Sequence, residues 1–240
     1  MLDFFKDQDS GGFYHKTPIT CLTAVFHKVD ASGKPRKKVI TVLSNIYNHT
    51  ASFVIMAIER MFKSDFLKDI ETVRWWSDGG PHFKNKQLIW ALLNEDPVLP
   101  GVSFEVNFRV SYHGKGEPDE IFGEYMQMLT KNLPQEGITS LQQLVTHLKF
   151  VSLQQASLFG DPDKEHEVIV FNLPRFDTIA YYLLIDQLKK YHSFFARDGK
   201  TVAKTLTGIS DKDEEIIEME SDEKKIKGTP KRSTARIITE

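Results

Sequence analysis

Between residues 51 and 110 the apolar pattern switches from helical to extended and back, and the switch is punctuated by WWSDGGPHFKN at residues 75–85. Thr72 to Ser77 reads as a short strand, rich in β-branched and aromatic side chains. It stops at an acid, Asp78. Gly79 and Gly80 are both free to take positive φ, while Pro81 sets the next φ and removes a backbone donor, so a sharp turn presents the acid at a strand end. Lys84 to Asn94 then reads as a helix with Leu88, Trp90, Ala91 and Leu92 on or near its buried side. Phe104 to Val110 alternates apolar with polar, as a half-buried strand does.

Upstream, Pro18 to Val29 and Lys38 to Leu43 flank the turn cluster Asp30-Ala31-Ser32-Gly33-Lys34-Pro35 and read as an antiparallel hairpin. A helix is expected at about 51–68, with Thr50 as N-cap and Phe53, Met56, Ala57, Arg60 and Met61 at helical spacing. Glu117 to Leu133 is a further amphipathic helix, with Pro118 in its first turn. Beyond it, 139–155 reads as helix, Val168 to Asn172 as strand, and 176–196 as a helix or a strand–helix pair. Met1-Leu2-Asp3-Phe4 lies inside an apolar segment, so the chain either starts on a strand or continues one from upstream. The expected division is a core at 1–138, a helical and strand extension at 139–207, and a charged tail at 208–240.

With 240 residues, 40% of them hydrophobic, the chain can bury one large core. A net charge of −2 gives no global basic field, so any nucleic-acid contact has to come from a local patch. Cys21 is alone in its type and sits in an apolar run, which excludes an internal disulfide and suits a reducing, intracellular compartment. No run approaches the roughly 20 apolar residues of a membrane helix, and no signal core follows the first residues, so no membrane association is expected. From Ser210 an acidic block (Asp211 to Glu223) gives way to a basic one (Lys224 to Arg236), a composition expected to be largely without fixed structure. Within it, KKIKGTPKR at 224–232 has the makeup of a nuclear-import signal or a phosphate-contacting arm, and equally of a solvated tail.

Phosphodiester chemistry with two divalent cations needs carboxylates from several element ends, close enough to bridge ions roughly 3.5–4 Å apart. Asp3, Asp78 and Asp119 are the three acids that the element order offers. That order, with WSDGGPHFKN after the fourth strand and HGKGEPDEIFGEYMQML opening the next helix, resembles the ribonuclease-H-like core of DDE/D transposases and integrases. The HGK ahead of the third acid is similar to eukaryotic cut-and-paste transposases such as Kolobok-like families. The resemblance covers about residues 1–133. It implies a mixed five-stranded α/β sheet, antiparallel over its first three strands and parallel over the fourth and fifth, flanked by helices. It also implies Asp3, Asp78 and Asp119 as catalytic ligands of two Mg²⁺ or Mn²⁺ ions, DNA cleavage and strand transfer, a homo-oligomer, and a nuclear location. Glu117, Glu120 and Glu124 are rivals for the third acid.

Each of these residues also has a plainer reading. Asp78 is a turn-forming Asp, Asp3 a solvated end, and Asp119 a helix-start acid favouring the macrodipole. His82 and His113 flank the site as turn residues, and Trp75 and Trp76 are expected in the core. Lys84, Lys86, His113 and Lys115, with Arg109 nearby, are candidate DNA contacts, as are Lys34, Arg36, Lys37 and Lys38 on the hairpin. The implied end-binding domain is not in this sequence, so the same residues also fit an inactive, transposon-derived binding protein, or a host nuclease of the same fold.

Overall fold

The structure is a computed structural model, and it describes residues 19–45, 50–94, 97–109, 116–131, 137–170, 185, 187–205 and 214–217. The hairpin forms as expected: β1 (Thr20–Val29) pairs antiparallel with β2 (Pro35–Ser44), in a register running from Thr20 opposite Ser44 to Val29 opposite Pro35. Asp30 closes the turn by accepting from the backbone N–H groups of Ser32 and Lys34. A four-residue strand, β5 (Glu167–Val170), then joins the other edge of β2 in parallel. Central between two strands, β2 is buried over every residue from Val39 to Ser44, as a strand covered on both faces must be.

The second sheet carries the switch stretch. Strand β3 (Thr72–Ser77) pairs in parallel with β4 (Ser103–Phe108), and the connection between them contains helix α2 (Lys86–Leu93). On the far side of β4 come β6 (Ser193–Arg197), β7 (Lys200–Lys204) and β8 (Glu214–Ile217), all antiparallel, giving the order β3-β4-β6-β7-β8. Asp198 and Gly199, both at positive φ, form the two-residue turn between β6 and β7. The molecule is therefore α/β, with two mixed sheets flanked by helices. Strand β8 lies in the stretch 208–240 that was expected to lack regular structure; the rest of that stretch lies outside the described residues.

One core joins the sheets. Leu22, Ala24, Ile40 and Val42 of the first sheet and Trp75, Phe104, Val106, Phe108 and Phe194 of the second pack with α2 and α1 (Ala51–Met61). Thr50 stands at the α1 N-cap, yet its side chain does not cap; the helix gives way at Met61 and is followed by a short 3₁₀ turn, Asp65–Leu67, rather than running to residue 68. The opposite face of the first sheet is covered by α3 (Glu117–Lys131) and α4 (Leu141–Phe159), which bury Ile121, Tyr125, Leu144 and Leu148 against Val39, Leu43 and Val168. Of the stretch 176–196, the described part is a 3₁₀ turn at Leu188–Lys190 and the start of β6, while 171–184 is outside the described residues.

Candidate functional site

The alternation of β3 splits its two tryptophans: Trp75 is 7% exposed in the shared core and Trp76 is 49% exposed on the opposite face. The expectation that both are core holds for Trp75 only. The physical reason is that side chains alternate between faces along a strand, so Trp75 points to the core with α1 and α2 and Trp76 to the other side. After Ser77 the chain turns through Asp78. Its Oδ1 accepts from the Gly80 N–H at 2.8 Å, and Gly80 O in turn accepts from the Phe83 and Lys84 N–H groups at 2.9 and 2.7 Å. Neither Gly79 nor Gly80 takes positive φ, so freedom of φ is not what this turn needs. Space is: a Cβ on Gly80 would lie 2.8 Å from Asp78 Oδ1 and 2.9 Å from the His82 ring, whereas one on Gly79 would meet only Arg109 O at 3.7 Å. Asn85 closes the segment as the α2 N-cap, accepting from Leu88 N–H at 2.8 Å and donating to the carbonyls of Pro81 and His82.

Arg109, at the end of β4, links this turn to the next candidate acid. Its N–H donates to Ser77 O at 2.9 Å, and its guanidinium stands against Gly116. Gly116 and Asp119 then bond reciprocally, Gly116 N–H to Asp119 Oδ2 at 3.0 Å and Asp119 N–H to Gly116 O at 2.9 Å. Asp119 is thus a helix-start acid of α3, as its plainer reading has it. Its second oxygen, like that of Asp78, accepts no hydrogen bond among the described residues. Glu117 is differently placed: His27 Nε2 lies 2.5 Å from one of its oxygens and Lys37 Nζ 3.1 Å from the other. Partial burial pushes the Glu117 carboxyl up, but the two hydrogen-bonding bases outweigh it and hold it below the usual range. It fastens α3 to the hairpin. Glu120 and Glu124 are exposed.

Asp78 and Asp119 line one groove of about 1060 Å³, together with His82, Arg109, Trp76 and much of β1 and β3. Among the described residues, strands β1 and β3 are the outermost strands of their sheets on this side, so two strand edges border the same space. With strands about 4.8 Å apart, a rise of about 3.3 Å per residue and a layer about 10 Å deep, a strand residue takes roughly 160 Å³, so the groove has room for about six or seven. Two polar groups on its lining residues, Trp75 Nε1 and Ser77 Oγ, are buried with no hydrogen-bond partner among the described residues. Asp3, His113 and Lys115 lie outside the described residues.

The candidate DNA contacts divide. Lys84 is half-buried, donates to Lys189 O at 3.2 Å and lies over the Phe108 ring, and burial lowers its pKa. Lys86 opens α2. On the hairpin, Arg36 grips Asp163 with two nitrogens at 2.6–3.0 Å, and Lys37 is taken by Glu117. These two cations are engaged within the fold, which a charge count cannot reveal.

The profile of one family matches residues 4–207, most of the chain. The protein belongs to DUF8701. That family is described as a domain of unknown function, and it extends through both sheets as far as β7. Neither a curated protein nor a solved structure matches the DUF8701 chain. The two described carboxylates of this domain are hard oxygen donors, each with a free oxygen on the groove, which is the chemistry that Mg²⁺ or Mn²⁺ takes. Among the described residues no three His, Cys, Asp or Glu side chains gather as a ligand set, and no helix is long and apolar enough to cross a membrane.

Proposed function

We propose that this DUF8701 domain is a ribonuclease-H-like phosphodiester enzyme of the DDE/D transposase and integrase kind, acting on DNA. The observation that carries this reading is the groove between the open edges of β1 and β3, with Asp78 and Asp119 on its lining and room for one further strand. In this reading, the groove takes one further strand between the hairpin and the parallel pair β3–β4; Asp3, the third acid, lies outside the described residues. The sheet then has the five-stranded order, antiparallel over its first three strands and parallel over the last two. It would also offer partners to Trp75 Nε1 and Ser77 Oγ, buried polar groups whose isolation is otherwise costly.

Asp3, Asp78 and Asp119 would hold two Mg²⁺ or Mn²⁺ ions, which supply Lewis-acid stabilisation of the attacking and leaving oxygens. The rest falls to the chain. The Gly80 N–H fixes one Asp78 oxygen and so aims the other. The Gly116 N–H does the same for Asp119. Arg109, bonded through its backbone to Ser77 and standing with its guanidinium against Gly116, lines the same groove and would face an incoming phosphate.

The test is DNA cleavage and strand transfer by the purified full chain with Mn²⁺ or Mg²⁺. Asp78→Asn and Asp119→Asn are expected to abolish both, and Glu117→Gln to leave them. Equal cleavage before and after Asp78→Asn overturns the assignment. Hydrolysis without strand transfer would make the domain a nuclease of this fold.

A further inference from the structure

We propose that Trp76 is a stacking platform for a base of a single nucleic-acid strand laid along β3, an inference resting on the reading above that names how the substrate is held. Exposed large apolar side chains occur at several places among the described residues, including Phe150, Leu158 and Phe159 on α4, but of these only Trp76 lines the groove. It stands on the face of β3 opposite to Trp75, which a strand added at the β3 edge does not cover, and the first turn of α3 lines the same groove.

Its neighbours suit an anionic ligand with flat bases. Arg74 is two residues back on the same face, with 78% of its side chain exposed and only a 3.3 Å contact to Glu105 to hold it. Asp78 follows two residues on, a step of about 6–7 Å along an extended chain. A base on the Trp76 indole would leave its sugar-phosphate within reach of the Asp78 carboxylate, and Arg74 and Arg109 line the same groove. Aromatic faces flanked by cations along one track are how single strands are bound without reading their sequence. The exposed indole also explains why two adjacent tryptophans occur here: Trp75 anchors β3 in the core, and Trp76 is left to the ligand.

The experiment is titration of the full chain with a fluorescein-labelled, mixed-sequence single-stranded DNA, read by anisotropy and by tryptophan emission. Trp76→Ala is expected to weaken binding about ten- to hundredfold, and Trp76→Phe to retain most of the affinity. Wild-type emission is expected to be quenched by the DNA. In Trp76→Phe, Trp75 and Trp90 remain and the quenching is expected to vanish. The slope of log affinity against log salt should be the same in wild type and both variants, because no charge is removed. Unaltered affinity in Trp76→Ala, or quenching that survives in Trp76→Phe, overturns the platform. If that happens while Asp78→Asn still abolishes cleavage, the enzymatic reading stands and only the platform falls. Absence of any DNA binding at low salt sinks both.

Discussion

Gly80 and Gly79 are adjacent and chemically identical, and the structure gives them opposite tolerances. Gly80→Ala puts a methyl group against the Asp78 carboxylate and the His82 ring, so it should displace Asp78 and cut metal-dependent activity strongly, while Gly79→Ala should be nearly silent. Parallel activity assays and thermal melts of the two variants check this. A second expectation concerns His166, buried against the Tyr125 hydroxyl at 3.0 Å in a chain that continues through Thr41 to Thr23. Burial, and then Lys38, Lys37 and Lys164, lower its pKa to about 4. The unfolded chain takes up this proton first, so stability is lost as pH falls from about 6.5 toward 4, by on the order of 3 kcal/mol. Denaturant melts of wild type and His166→Gln across that range should show the slope in the first and much less of it in the second. Asp78 and its turn were legible in the sequence because the hydrogen bonds that close the turn, from Gly80 N–H to Asp78 and from the Phe83 and Lys84 N–H groups to Gly80 O, are local. The engagement of Glu117 was not, because its partners His27 and Lys37 lie 90 and 80 residues away.

Elements follow the same division between local and distant causes. The hairpin, β3, β4, α3 and α4 were all placed by periodicity to within a few residues, since capping and alternation act over one or two turns. The hairpin β6–β7 was missed, although Asp198-Gly199 is the strongest short-range signal for a two-residue turn. Only its first strand overlaps 176–196, which reads as a helix or a strand–helix pair, and the turn and second strand lie beyond that stretch. Its importance can be measured: Gly199→Val should destabilise by at least about 1 kcal/mol, because a β-branched residue resists positive φ. Helix α4 is closed at both ends by side-chain and backbone chemistry. Ser140 Oγ accepts from the Gln143 N–H at 3.2 Å, and Gly160 takes the left-handed conformation at φ 61°. Ser140→Ala and Gly160→Ala should each cost about 1 kcal/mol in chemical denaturation.

At the scale of the molecule, the sheets are assembled from both halves of the chain. Strand β5 completes the edge of β2, and β6 covers the edge of β4 beside Val106 and Phe108, which are 0% and 1% exposed. A fragment ending at residue 138 leaves both edges bare and should be aggregated or non-cooperative in circular dichroism melts and size-exclusion chromatography, whereas 1–217 should melt in one transition. This partition was illegible beforehand, since no periodicity states which distant strand pairs with which. The same wiring sets an order in time. On the ribosome, at about 5–20 residues per second, β2 is finished on the order of ten seconds before the strand that will flank it. Throughout that interval Leu43, whose eventual partner is Val170, belongs to a nascent sheet with one side open. Early chains therefore need shielding that the finished molecule does not, and folded recovery should fall with crowded, slowed translation while the mature protein remains indifferent to concentration.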